Sequence, residues 1–109
     1  MWNDNKTVGR KRDDVSCPKK NNGLFEVLKN HANTKAIYCG HDHNNDYKGK
    51  YQGVELVYGR KTGYGAYGPK GMQKGATVIK IKEYINSEGY TDFKFRSYIV
   101  QEDGSILDE

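Results

Sequence analysis

The chain has 109 residues, one domain or a piece of one, and a chain this size buries roughly two-thirds of its unfolded surface. Hydrophobic residues make up only 35% while Gly (13) and Tyr (9) are abundant, which excludes a helical bundle and points to a loop-rich, strand-bearing chain. The formal net charge of +4 suits a phosphorylated substrate but discriminates poorly, and no apolar run approaches the roughly 20 residues of a membrane span.

Residues 1–20 read as an extended polar surface segment, mobile at its start, that carries Lys6, Arg10, Lys11, Arg12, Lys19 and Lys20. The first residues lack the apolar stretch of a signal peptide. Cys17 and Cys39 make neither a disulfide scaffold nor a four-cysteine zinc module, so the compartment stays open. Residues 21–109 read as one continuous part of a domain. Residues 21–33 form the convincing helix: Asn21 or Asn22 caps it, and Leu24, Val27, Leu28 and His31 fall at the spacing of a buried stripe. Lys29 and His31 suit the negative end of its dipole.

Residues 35–39 follow as a short, near-continuously apolar strand, the mark of burial on both faces. A helix followed closely by such a strand is half of an α/β unit. Residues 40–53 read as a polar loop, and residues 54–58 as a strand with Val54, Leu56 and Tyr58 on one face. Residues 59–75 interleave glycines with Tyr64 and Tyr67, and read as an ordered loop whose rings pack against something. Residues 76–82 and 93–100 predict an antiparallel pair joined by a turn near 86–89. Thr77, Ile79 and Ile81 share one face of the first, while Phe93, Phe95 and Ile99 point inward from the second. The tail turns at 102–105 and ends in acid. The expected architecture is α/β (α+β), with one clear helix and about four strands.

The chemistry concentrates in Gly40-His41-Asp42-His43. A glycine at a strand end lets the backbone turn without a side chain in the way, and histidines at i and i+2 can then aim at neighbouring points. Imidazole suits zinc, iron and manganese, and paired metals can clamp both oxygens of an in-line displacement at phosphorus. Asp42, Asn44, Asn45 and Asp46 are placed to hold the imidazoles in position. The bland alternative, two polar loop histidines near a strand end, fits the same four residues. His31 reads as a helix-end histidine, and Cys39 as a small core residue with no partner base.

The segment 39–47, Cys-Gly-His-Asp-His-Asn-Asn-Asp-Tyr, resembles the last metal motif, GHxH, of the calcineurin-like metallophosphoesterases. The likeness is to a purple-acid-phosphatase-related branch, where GHDH is followed by N-D-Y, a G-V strand and a YG-x-x-x-GYG-x-YG loop. Here that continuation runs from Gly53 to Gly68. Segments 14–18, 22–25, 75–79 and 102–104 are similar too, so the likeness spans about residues 13–104. It implies a β-sandwich flanked by helices and a binuclear centre of divalent or trivalent metals of the iron, zinc or manganese class. The implied activity is that of a metal-dependent phosphoric ester hydrolase, in which a metal-bound hydroxide attacks a phosphate ester. His41 would bind one metal and His43 the other, with Arg60 and Lys61 as weaker candidates for steering the phosphate.

The family's earlier motifs, D-x-H, G-D-x-x-D and G-N-H, and a further histidine are absent from this sequence. The ligand tyrosine of true purple acid phosphatases belongs to one of them, so Tyr47 does not inherit that role. The chain therefore resembles the C-terminal part of such a domain, with the N-terminal half as its implied partner. Alone, it is expected to be inactive, to bind metal weakly and to carry an unpaired sheet edge. Two other readings stand beside this one. One is an inactive interaction protein descended from the family. The other, less favoured, is a nucleic-acid module that uses Tyr64 and Tyr67 with Arg60, Lys61, Lys70 and Lys74.

Overall fold

In the computed structural model, which describes residues 6–31 and 33–108, one helix and seven strands form two sheets. In chain order they are β1 (Thr7–Val8), α1 (Leu24–His31), β2 (Ala36–Cys39), β3 (Lys48–Tyr51), β4 (Val54–Tyr58), β5 (Gly75–Ile85), β6 (Thr91–Gln101) and β7 (Ile106–Leu107). The expected mobile start at 1–5, position 32 of the expected helix and the last residue lie outside the described residues. The mixed α/β class holds, and the four expected strands are joined by three short ones.

The first sheet has the order β1-β3-β4-β2, with β2 parallel to β4 and the other pairs antiparallel. β3 falls inside the stretch expected to be loop, because Lys48-Gly49-Lys50-Tyr51 has almost no apolar content to announce a strand. Its signal was the turn that follows. Gln52 (φ 47°) and Gly53 (φ 82°) are both left-handed, as a two-residue hairpin turn requires, and they put Tyr51 opposite Val54. β4 lies between β3 and β2, and Val54, Val57 and Tyr58 are all buried. Burial does not alternate as expected, since both faces of an interior strand are covered.

The second sheet is an antiparallel meander, β5-β6-β7. Thr77 pairs with Ile99, Ile79 with Ser97 and Ile81 with Phe95, so the expected inward faces coincide. Asn86 closes the hairpin by accepting from the Glu88 and Tyr90 amides at 3.0 Å. Each long strand has 11 residues against two to five in the first sheet. At about 3.3 Å per residue the hairpin outruns its cover, which leaves Ile81 and Ile85 exposed. Between the sheets, Val57 and Tyr58 line one small cavity together with Thr77, Ser97, Ile99 and Leu107.

The helix begins with Asn21 and Asn22 capping the Gly23 and Leu24 amides, as its sequence suggests. Its stripe is not buried, however. Leu24 is 61% and Val27 55% exposed, and His31 is exposed as well. The face that packs carries Phe25, whose ring sits 5.1 Å from that of Tyr51 in the β3–β4 hairpin. Nothing among the described residues covers the other side. No helix among these residues is long and apolar enough to cross a membrane.

Candidate metal centre

β2 ends at Cys39, and the chain leaves it through Gly40 into the histidines. The left-handed residue of this turn is His41 itself, at φ 78°, and not the glycine before it. A non-glycine residue in that region carries strain of order 1 kcal/mol or more, and Gln52 and Ala66 share that conformation among the described residues. The His41 side chain retains 80% of its exposure, while that of the next residue, Asp42, retains 5%.

Each imidazole is held by one nitrogen. His41 Nδ1 lies 3.0 Å from Asp42 Oδ1, and His43 Nδ1 lies 2.8 Å from the backbone oxygen of Tyr67. A carbonyl oxygen only accepts, so His43 Nδ1 is the protonated nitrogen. The Asp42 carboxyl is ionised because hydrogen bonds from Tyr58, His41 and Ser16 hold it well below the usual carboxylate range, and so it accepts from His41 too. In both rings Nε2 is then the nitrogen with a lone pair to offer, the state in which a ligating histidine is normally set by a carboxylate or carbonyl behind it.

Asp42 is the hub beneath His41. Its Oδ2 accepts from Tyr58 Oη at 2.7 Å and its Oδ1 from Ser16 Oγ at 2.8 Å. Burial and the Asp42 charge push the Tyr58 phenol well above its ordinary pKa, so it stays a donor. Asn45 and Asp46, expected to support the imidazoles, serve a different purpose. Asn45, at 1% exposure, accepts from the Arg12 and Asp13 amides and donates to the Asp13 carbonyl. Asp46 takes the Arg10 amide at 2.8 Å and the Arg60 guanidinium at 2.6 Å. Asn44 donates to Asp13 Oδ1 at 2.9 Å. These three residues bind the N-terminal segment, so residues 10–16 are built into the fold and do not run free along its surface.

Arg60 is 4% exposed, pairs with Asp46 and donates to the Gln73 carbonyl and Gln101 Oε1. Its expected role in steering a phosphate is corrected accordingly, because a guanidinium closed in by three acceptors faces the interior. Lys61 bonds the carbonyls of Gly63 and Gly65 and so braces the Tyr-Gly loop from inside. Lys74 lies over the Tyr64 ring, and Tyr64 donates to Glu102 at 2.8 Å. Cys39 is exposed, not a core residue. Desolvation and the Asp42 charge raise its thiol pKa, which makes it a poor nucleophile. The expectations missed Tyr67 as a partner of His43, since nothing in the sequence links positions 24 apart.

Among the described residues no group of three or more His, Cys, Asp or Glu side chains gathers as a metal cage. Two imidazoles are fewer than the three protein ligands that even an open catalytic zinc site uses.

In sequence the chain is related to purple-acid-phosphatase-like proteins. It is 36% identical over 77 residues to the probable inactive purple acid phosphatase 29 of Arabidopsis thaliana, covering 71% of this chain and 20% of that protein. The probable inactive purple acid phosphatases 28 and 14 of the same plant are 36% and 31% identical over 75 residues, covering 69% of this chain and 19% of each relative. The match thus spans about a fifth of the length of these curated relatives. No family model matches the chain, and no solved structure matches it.

Proposed function

We propose that this chain is the C-terminal part of a purple-acid-phosphatase-like metallophosphoesterase domain. In this reading His41 and His43 give two imidazole ligands to a two-metal centre whose other ligands lie outside these 109 residues. The observation that carries the reading is the shared state of the two rings. Each Nδ1 donates to an oxygen that the fold holds in place, which leaves each Nε2 as a donor to metal. When bound, the metals would supply Lewis acidity toward a phosphate ester. The chain's own residues set the ligands: Asp42, fixed by Tyr58 and Ser16, orients His41, and Tyr67 orients His43.

The open edge of β2 and the exposed Leu24 and Val27 support a partner that is the rest of the domain. Such an edge accepts another strand, and such a helix face takes an apolar cover. With two ligands alone, the purified chain is expected to take up Zn2+ weakly, and a His41→Ala/His43→Ala double variant not to take it up. Neither should hydrolyse an aryl phosphate. Turnover by the chain, or Zn2+ uptake indifferent to the double substitution, would overturn the proposal.

The names of the relatives favour a second reading within the same family, since all three are called probable inactive phosphatases. On that reading the loop is kept for metal binding or assembly and catalysis has been lost. A metal-loaded complex of this chain with its completing segment that leaves phosphate esters intact would support it.

A further inference from the structure

Tyr67 makes more contacts with the histidine loop than the rest of the Tyr-Gly segment. Its ring stacks on the His43 imidazole, with centroids 4.2 Å apart and planes 18° from parallel. Its hydroxyl accepts from the His43 amide and donates to the His41 carbonyl, each at 3.3 Å. Its own carbonyl accepts from His43 Nδ1 at 2.8 Å. One residue thus holds the ring plane, the tautomer and the backbone on both sides of Asp42.

The loop is built to present it. Ala66, just before, is left-handed at φ 56°, a conformation that ordinary residues adopt only when their surroundings impose it. Lys61 bonds the carbonyls of Gly63 and Gly65, and a Cβ on Gly68 would press against the Lys61 chain at 2.8 Å. Tyr64 on the same loop is 78% exposed and turns away to Glu102, so the grip on His43 is specific to one ring.

We infer that Tyr67 is a positioning residue that fixes His43 with Nδ1 protonated and Nε2 presented for coordination, coupling the Tyr-Gly loop to the histidine pair. The inference rests on the metal reading above, but its first readout needs no metal. Long-range proton–nitrogen NMR of the 15N-histidine-labelled full chain, at about pH 8 and so above the ordinary imidazole pKa, reports the tautomer of each ring. Wild-type His43 is expected as the Nδ1–H form, against the Nε2–H preference of free histidine. Tyr67→Ala retains the main-chain carbonyl but removes the stacked ring and the hydroxyl that hold it against His43, and should return the imidazole to the Nε2–H form. Tyr67→Phe keeps the stack and the carbonyl and should preserve the tautomer while shifting the His43 amide. Because Tyr67 lies on an exposed loop, the β5–β6 amide signals should be unchanged in both variants and serve as the folding control.

Zn2+ added to the same samples should move the Nε2 resonances, with apparent affinity about tenfold or more weaker in Tyr67→Ala. A wild-type His43 in the Nε2–H form, or a tautomer indifferent to Tyr67→Ala, overturns the assignment even if zinc binds. Zinc that moves neither Nε2 signal while the tautomer responds as expected overturns the metal reading and leaves the grip standing.

Discussion

Within one loop, Asp42, Asn45 and Asp46 keep 5% exposure or less, whereas the His41 side chain keeps 80% and His43 is half-buried. The buried side chains are saturated with partners: Tyr58 and Ser16 on Asp42, two amides on Asn45, and Arg10 and Arg60 on Asp46. Each imidazole makes one hydrogen bond, through Nδ1, and the His43 ring also stacks on Tyr67. The acidic and amide residues therefore build the fold, tying the N-terminal segment, the Tyr-Gly loop and both sheets to one point. The histidines are carried by that fold and add little to it. A residue that strains the backbone at φ 78° and is mostly in solvent is not explained by stability.

The comparison breaks most sharply at Asp46. Its carboxylate and the Arg60 guanidinium are both fully enclosed, so Asp46→Ala leaves a buried cation without its counter-charge. The expected loss is about 3–5 kcal/mol, a large share of a small domain's stability, read as a lowered urea midpoint or no folded signal. A loss under about 1 kcal/mol would mean that the network does not hold the fold.

Acid provides the next test. Asp42 and Asp92 are both depressed in the folded chain. For Asp42 the first cause is the Tyr58 hydroxyl. For Asp92 it is the Lys35 ammonium at 2.7 Å, which brings it to about 2. A carboxyl with a lowered folded pKa stabilises the fold above its unfolded value of about 3.9 and loses that contribution as pH falls through the folded value. Unfolding followed by circular dichroism should therefore set in between about pH 4 and pH 2, and Tyr58→Phe should move the midpoint upward by freeing Asp42.

The smallest effect is expected at the histidines. His41→Gly removes an exposed ring and supplies the residue that a left-handed φ favours, so stability should hold within about 0.5 kcal/mol or rise slightly. A clear drop in melting temperature would place His41 among the structural residues and weaken the contrast.

Much of this was legible along the chain. The β5–β6 pairing follows from alternation in Thr77-Val78-Ile79-Lys80-Ile81 and Phe93-Lys94-Phe95, and the turn at Asn86 from its residue types. The relation to purple-acid-phosphatase-like proteins followed from the histidine loop and its Tyr-Gly continuation. What failed to read were features without local periodicity. β3 lies in Lys48-Gly49-Lys50-Tyr51, which shows no pattern until β4 and β1 pair with it on either side. The helix stripe was visible, but a stripe states only that a face can be buried, not that a partner is present.

The sequence by itself supplied the candidate ligands, because imidazole and carboxylate bring their ligand character wherever they sit. It also determined the local elements whose period or turn chemistry spans a few residues. Only the tertiary structure decided how those groups are used. Arg60 looked like a free cation beside a glycine-rich loop, and the fold turned it inward to Asp46. Asp46 looked like support for a histidine, and the fold gave it to Arg10 and Arg60. Tyr67, 24 positions from His43, became the histidine's carrier. The partners of a charged or aromatic side chain are set by whatever the folded chain brings within a few ångströms, and along the sequence that distance is not written.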